Sequence, residues 1–156
     1  MKVILPGSYD PVTLGHLDII KRAAEKYREV YAVVFINPAK KYMFSSDERL
    51  EMLRLATEEM DNVKVDFSDG YVIDYMREHG IGKIVKGYRN EKDLEYERGQ
   101  AKWNLENGGF ETELWKSREE LSLVSSTEVR AILDSGTDPS SLLPKKVLEF
   151  IKNKKV

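Results

Sequence analysis

Residues 6–16, PGSYDPVTLGH, place hydroxyl side chains and a histidine between an apolar strand and an amphipathic helix. The stretch before them, Lys2-Val3-Ile4-Leu5, is too short and too β-branched to be anything but a strand, and Leu17, Ile20, Ala24 and Tyr27 recur at helical spacing. A strand-to-helix junction suits an anion, because the first backbone N–H groups of a helix lack partners and the dipole is positive there. Gly7 lets a phosphate approach the backbone, and Ser8 adds a hydroxyl beside it. Thr13 is the expected N-cap, Gly15 clears space in the first turn, and His16 points back toward the loop. The positive end of the dipole favours a neutral imidazole that donates one N–H. Neither GxxxxGK[ST] nor GxGxxG is present, so this is not a phosphate loop of either common kind.

Further groups capable of anion chemistry follow along the chain. Lys40 and Lys41 stand beyond the second predicted strand, where they face the crevice expected for His16. Lys86 and Arg89 flank the end of the fourth. Asp93, Glu95, Glu97 and Arg98 read as the charged face of a helix whose first turn favours acidic residues. Ser125, Ser126 and Thr127 open another helix, and an N-terminus that needs capping is also one that can take a phosphate. His79, by contrast, is a last-turn helix residue with no expected catalytic part.

The elements that must hold these groups alternate between strand and helix. Strand patterns cover residues 2–5, 30–36, 63–67, 84–85 and 112–115. Helical patterns follow the first loop, then Ser45-x-x-Glu48 as a capping box with Leu50, Leu53 and Met60 on one face. Others run over residues 71–79, 94–107, 126–134 with Ser126 as the expected cap, and 145–152 after Pro144. Gly80, Gly108-Gly109 and Gly136 mark helix ends. The order implies an α/β fold, a doubly wound parallel sheet of five strands with helices on both faces and ligands beyond the strands' carboxyl ends. No repeat or linker divides the 156 residues, so a single domain over 1–156 is expected.

Composition narrows the function classes. Hydrophobic residues at 41% and charged residues at 33% are the balance of a globular protein with a real core. A net charge of −2 argues against a nucleic-acid-binding surface as the main purpose. The absence of cysteine excludes disulfides and thiolate chemistry. No apolar run approaches the ~18 residues of a membrane span, and the start shows no signal-peptide pattern, so no membrane association and a cytoplasmic location are expected.

Thr13-Leu14-Gly15-His16 resembles the T/HxGH signature of the nucleotidyltransferase superfamily, in the variant typical of the bacterial phosphopantetheine adenylyltransferases. Three further segments resemble that family in order and separation: NPAKKYMF (37–44), its lysine loop; KGYRNEKDLEYE (86–97), its RGLR segment and acidic helix start; and LSLVSSTEVR (121–130), its serine-rich loop. The resemblance covers essentially the whole chain. It implies a Rossmann-like nucleotidyltransferase fold with a C-terminal helical segment and transfer of the adenylyl group of ATP to 4'-phosphopantetheine. In that reading His16 stabilises the transition state and Lys40 holds the acceptor phosphate. ATP is bound by Ser8, Tyr9, His16, Gly87, Tyr88, Arg89, Glu97, Leu121, Ser122, Leu123, Val124, Ser125, Ser126 and Thr127. The acceptor is bound by Ser8, Lys40, Val72 and Lys86. Mg2+ accompanies the ATP phosphates with no protein metal ligand. A homohexamer and coenzyme A as a feedback ligand are also implied, and the helix with Tyr96, Trp103 and Leu105 offers apolar surface for assembly.

The pattern departs from the family at Lys86, usually arginine, at Tyr88, usually leucine, at Leu121, commonly aromatic, and at Ser8, more often threonine. Lysine offers a point charge in place of a planar fork, which bears on acceptor affinity rather than on the fold. Gly87 is expected to leave room above that site. SSTEVR also resembles a motif of the nicotinamide mononucleotide adenylyltransferases, from which the lysine loop and DLEYE set this chain apart. A non-catalytic nucleotide-binding module is the alternative from another class, and His16 with Lys40 argues against it.

Overall fold

The computed structural model describes residues 1–121 and 124–154. Strands β1 (Lys2–Gly7), β2 (Glu29–Phe35), β3 (Val63–Ser68), β4 (Lys83–Tyr88) and β5 (Glu111–Lys116) alternate with helices α1 (Leu14–Lys26), α2 (Ser46–Thr57), α3 (Val72–His79) and α4 (Glu91–Gly108). Helices α5 (Ser126–Ser135) and α6 (Lys145–Lys154) follow β5. The sheet has the order β3-β2-β1-β4-β5, and every pairing is parallel. This is the expected doubly wound α/β fold with its C-terminal helices. Among the described residues no helix is long and apolar enough to cross a membrane.

Alternation along the central strands builds a core on each face. Val3, Leu5, Val30, Ala32 and Val34 point to one side, where Ile20 and Ala23 of α1, Met52 and Leu53 of α2, Val129 of α5 and Val147 of α6 pack against them. Ile4, Tyr31 and Val33 point to the other, beneath Tyr75 and Met76 of α3. Strands covered on both faces must be apolar throughout, hence the nearly unbroken VYAVVF of β2.

Local chemistry sets the helix ends. Ser45 and Glu48 form the reciprocal capping box that starts α2, with Ser45 Oγ accepting from the Glu48 N–H at 3.1 Å and Glu48 Oε1 accepting from the Ser45 N–H at 2.9 Å. Gly80 and Gly136, at φ 67° and 76°, end α3 and α5 in the left-handed region. Three expectations need correction. Met60 lies beyond α2, where its N–H closes a turn onto the Thr57 carbonyl instead of continuing the helix. Ser125, not Ser126, caps α5, because Ser125 has extended backbone and its Oγ accepts from the Glu128 N–H at 3.1 Å. Gly87 has no open room over its α-carbon, since a β-carbon there would lie 2.8 Å from Ile19 Cγ1 of α1.

The sheet parts where the chain reverses direction across it. β1 pairs with β2 over its full length, but with β4 only at Val3↔Lys83 and Ile4↔Ile84. Both strands continue to Gly7 and Tyr88, so a crevice opens between their carboxyl ends at the switch point.

A side chain at Gly87 would press on Ile19 of α1 beside that crevice. Gly87→Ala is therefore expected to destabilise the fold by about 1–3 kcal/mol through overpacking, and adding Ile19→Ala should cost less in the Gly87→Ala background than alone. Thermal or urea melts of the two single variants and the double variant measure this; strictly additive losses would show that the two residues do not press on each other.

Candidate active site

Thr13 and His16 cap each other at the start of α1. Thr13 Oγ1 accepts from the His16 backbone N–H at 3.4 Å, and His16 Nδ1 accepts from the Thr13 N–H at 3.0 Å. An acceptor Nδ1 places the imidazole proton on Nε2. Burial first, then the positive charges of Lys86 and Arg89, push the His16 pKa from 6.5 down to about 4. The ring is thus a neutral donor, with burial and the two neighbouring cations as the causes, where the sequence reading rests on the helix dipole.

Tyr9 backs this loop. It holds φ 48° in the left-handed region, its hydroxyl donates to the Leu5 carbonyl at 2.8 Å, and its ring centroid lies 5.0 Å from that of His16. Burial raises its phenol pKa, so the hydroxyl stays protonated and committed to Leu5. Gly15 meets the second loop closely, where a β-carbon would stand 3.4 Å from the Val124 carbonyl oxygen. Ser126 Oγ, freed from capping, donates to the Pro11 carbonyl at 2.8 Å. The N-termini of α1 and α5 are thereby drawn to one place.

Two cavities adjoin there. The smaller, about 290 Å³, is lined by Tyr9, His16, Gly87, Tyr88, Arg89, Leu121, Val124 and Ser125, Ser126 and Thr127. The larger, about 810 Å³, is lined by Lys40, Tyr42, Val72, Tyr96, Trp103 and Asn104, among others. Pro6, Gly7, Ser8, Lys86 and Glu97 line both. Lys40 accordingly faces the larger cavity and not the one that holds His16, and Lys41 lines neither. The reason is that Lys40 sits beyond β2, one strand removed from the β1–β4 gap. Ser122 and Leu123 lie outside the described residues.

Charge is organised around the shared wall. Lys86 Nζ stands 3.6 Å from Glu97 Oε1 and donates to the Pro6 carbonyl at 3.4 Å. Burial raises the pKa of the Glu97 carboxyl, with Lys86 working against that rise. Arg89 is held by Asp93, whose Oδ2 lies 2.9 Å from Nε and 3.2 Å from the Arg89 N–H. Asn90 caps α4 beside it, accepting from the Asp93 N–H at 2.9 Å. No group of three or more His, Asp or Glu side chains that could hold a metal ion occurs among the described residues.

Sequence reasoning passed over Asp10, Arg49 and Arg130. Asp10 and Arg49 are 2% exposed. Arg49 Nη1 donates to the Ser8 carbonyl at 3.1 Å while its guanidinium lies 3.8 Å from the Tyr42 ring centroid. An aspartate in the loop after the first strand and an arginine in the first turn of an amphipathic helix were the available signals, but neither names its partners.

Helix N-termini, a neutral histidine donor and flanking cations around a crevice at the switch point are the features of an α/β protein that handles nucleotide phosphates. A family model described as cytidylyltransferase-like matches residues 4–132. The phosphopantetheine adenylyltransferase of Corynebacterium efficiens is 43% identical over 155 residues, 99% of this chain and 98% of that protein. The protein of the same name from Thermobifida fusca is 42% identical over 153 residues, 98% of this chain and 93% of its own. The chain belongs to the cytidylyltransferase-like family and, within it, groups with the phosphopantetheine adenylyltransferases.

The depressed His16 pKa makes a pH prediction whose sign is fixed. The unfolded chain takes up a proton near pH 6.5, whereas the folded chain resists until about 4, so the unfolded state binds more protons in between. The stability due to His16 is full above about 6.5 and is lost as pH falls toward 4. Imidazole titration by NMR should give a value near 4, and the difference in pH-dependent stability between the wild type and His16→Gln should fall in that window. A titration near 6.5 would contradict the neutral, half-buried ring.

Proposed function

We propose that the chain transfers the adenylyl group of ATP to the phosphate of 4'-phosphopantetheine, giving dephospho-coenzyme A and pyrophosphate. Near-full-length identity of 43% to proteins named for that reaction carries the proposal. Two adjoining cavities with a wall in common support it, because the reaction needs a nucleotide and an acceptor phosphate brought to one point.

An oxygen of the acceptor phosphate forms the new bond to the α-phosphorus, and the bond from that phosphorus to the bridging oxygen of the β-phosphate breaks, releasing pyrophosphate. The acceptor phosphate is already ionised, so no general base is required. What the protein supplies is alignment and stabilisation of negative charge. In this reading the smaller cavity takes the ATP phosphates and the larger takes the acceptor. His16 Nε2 donates to an α-phosphate oxygen, and the N–H groups opening α1 and α5 act as fixed donors. Ser8, on the shared wall, bridges the two phosphates, with Lys86 toward the acceptor and Arg89 toward the nucleotide. Lys40 and Val72 belong to the acceptor side. Gly87, Tyr88, Glu97, Leu121, Val124 and Ser125, Ser126 and Thr127 belong to the nucleotide side, with Tyr9 contributing its ring. Ser122 and Leu123 are kept on that side from the sequence resemblance. Mg2+ enters as the counter-ion of the ATP phosphates, since it retains most of its water. We place the activity in the cytoplasm, in a single domain, with coenzyme A as a feedback ligand. A homohexamer is proposed from the exposed apolar face of α4, where Tyr96, Trp103 and Leu105 are 66%, 51% and 52% exposed.

Pyrophosphate release from ATP, measured with phosphopantetheine and with nicotinamide mononucleotide, tests the reaction and the acceptor together; release with the second alone would overturn the assignment. His16→Ala should lower turnover about 100- to 1,000-fold with little change in ATP affinity, as expected for a donor that acts on the transition state. Lys86→Ala should weaken the acceptor without abolishing ATP binding. Lys86→Arg should keep activity and tighten the acceptor by about 1 kcal/mol, because one more charged hydrogen bond is offset by side-chain ordering. Titration with each substrate separately decides this, and a Lys86→Ala defect confined to ATP would move the residue to the other side.

Assembly is checked apart from activity. Sedimentation at micromolar concentration should show a species several times 18.0 kDa, and a stable monomer would count against the hexamer.

A further inference from the structure

Asp10 contacts neither phosphate site in the reading above, yet its carboxylate is buried at the centre of the loops that form both. Its Oδ2 accepts the Met43 N–H and its Oδ1 the Phe44 N–H, each at 2.9 Å. These two N–H groups end the segment 37–44 that carries Lys40. The other end of that segment is closed by Tyr42, whose hydroxyl accepts the Asn37 N–H at 3.0 Å and whose ring lies on the Arg49 guanidinium. Arg49 in turn holds the Ser8 carbonyl. From the opposite direction, Arg130 of α5 donates from Nη1 to the Asp10 carbonyl at 2.9 Å and from Nη2 to Thr127 Oγ1 at 3.1 Å. Its Nη1 also stands 3.8 Å from Asp10 Oδ2.

We propose that Asp10 is a positioning residue whose carboxylate sets the separation of the Lys40 loop from the Ser8–His16 loop. The inference rests on the adenylyl-transfer reading. Lys40 is on an exposed segment beyond β2, one strand away from the crevice, so its own loop does not determine where its ammonium stands relative to His16. Two adjacent N–H groups converging on one carboxylate do determine it, because both carboxylate oxygens accept and neither can be replaced by a donor without leaving an N–H opposed to an N–H. Arg130 ties α5 to the same residue through the Asp10 carbonyl and more loosely through its carboxylate, so the acceptor loop and the helix opening on the nucleotide cavity are referred to one residue. In-line transfer is sensitive to such alignment, and small displacements of an acceptor phosphate cost rate steeply.

Asp10→Asn is the sharpest test, since it preserves shape and one acceptor while facing an amide NH2 toward a backbone N–H. Turnover per ATP-binding site should fall about 10- to 100-fold and the KM for phosphopantetheine should rise, the loss expected when hydrogen bonds to a charged group are removed. The Kd of a non-transferable ATP analogue should stay within about twofold, because the donors of the nucleotide cavity keep their places. In a Lys40→Ala background the same change should cost less than about threefold, because the group it positions is gone. Equal loss in both backgrounds, or a loss confined to the number of ATP-binding sites with normal kinetics at each, would overturn the proposal and leave Asp10 a residue of stability alone. Arg130→Gln leaves both Asp10–N–H bonds intact and gives a second measurement if Asp10→Asn does not fold. It should lower turnover several-fold, again with less effect once Lys40 is alanine, and an additive effect would overturn the proposal. Wild-type protein assayed alongside separates the two levels of inference. If it releases no pyrophosphate, the adenylyl-transfer reading falls and the positioning role falls with it; if it is active while Asp10→Asn is kinetically unchanged, only the positioning role is lost.

Discussion

Parallel pairing between β1 and β4 stops at Ile4 and Ile84, and the polar groups that face the gap beyond that point must find partners other than the strand across it. The solution is a set of interlocking loops. Tyr9 returns to the Leu5 carbonyl, Lys86 reaches the Pro6 carbonyl, Arg49 the Ser8 carbonyl, Arg130 the Asp10 carbonyl and Ser126 the Pro11 carbonyl. Five carbonyls between Leu5 and Pro11, at the end of β1 and in the loop after it, are thus met by side chains, four of them from elsewhere in the chain. A crevice that would otherwise expose bare backbone becomes a rigid rim.

That rim brings cations close together, which shapes the electrostatics within. Lys86 and Arg89 would repel a charged imidazole, and burial would penalise it, so His16 stays neutral and keeps its proton on Nε2. Glu97 and Asp93 temper the same cations from α4, one turn apart on the helix. Asp93 fixes the direction of Arg89, while Glu97 sits on the wall between the cavities against Lys86. Each of the two cations is thereby paired with a carboxylate of α4.

Much of the fold was legible because its signals are local. The Ser45–Glu48 box, the glycines at 80 and 136 and the apolar run of β2 each state their conformation within a few residues. Misreadings arose where local signals were ambiguous by one residue or one turn: adjacent serines at 125 and 126 can both cap, and Met60 keeps helical spacing after the helix has ended. Residues of the candidate site were legible through the resemblance of four segments, and the structure gathers the described ones around two cavities. The same resemblance assigned them to a nucleotide and an acceptor set, but periodicity and spacing did not show that Lys40 and His16 line different cavities. Placing Lys40 and His16 on separate sides of a common wall depends on which strands neighbour one another, which spacing along the chain does not encode.

Asp10, Arg49 and Arg130 mark the boundary most clearly. As residue types in their segments they read as an acidic loop position and two charged helix positions, and their partners lie 33, 41 and 120 residues away in sequence. By itself the sequence determined the alternation of strands and helices, all but one of the caps read from it and the chemical types offered at each loop, because periodicity and capping act over one or two turns of chain. The tertiary structure alone decided that β1 and β4 part after two residue pairs, that Gly87 has no room for a β-carbon against Ile19, and that one buried aspartate joins three segments. Those outcomes come from packing and from the need to satisfy buried polar groups, which only the assembled sheet and helices can impose.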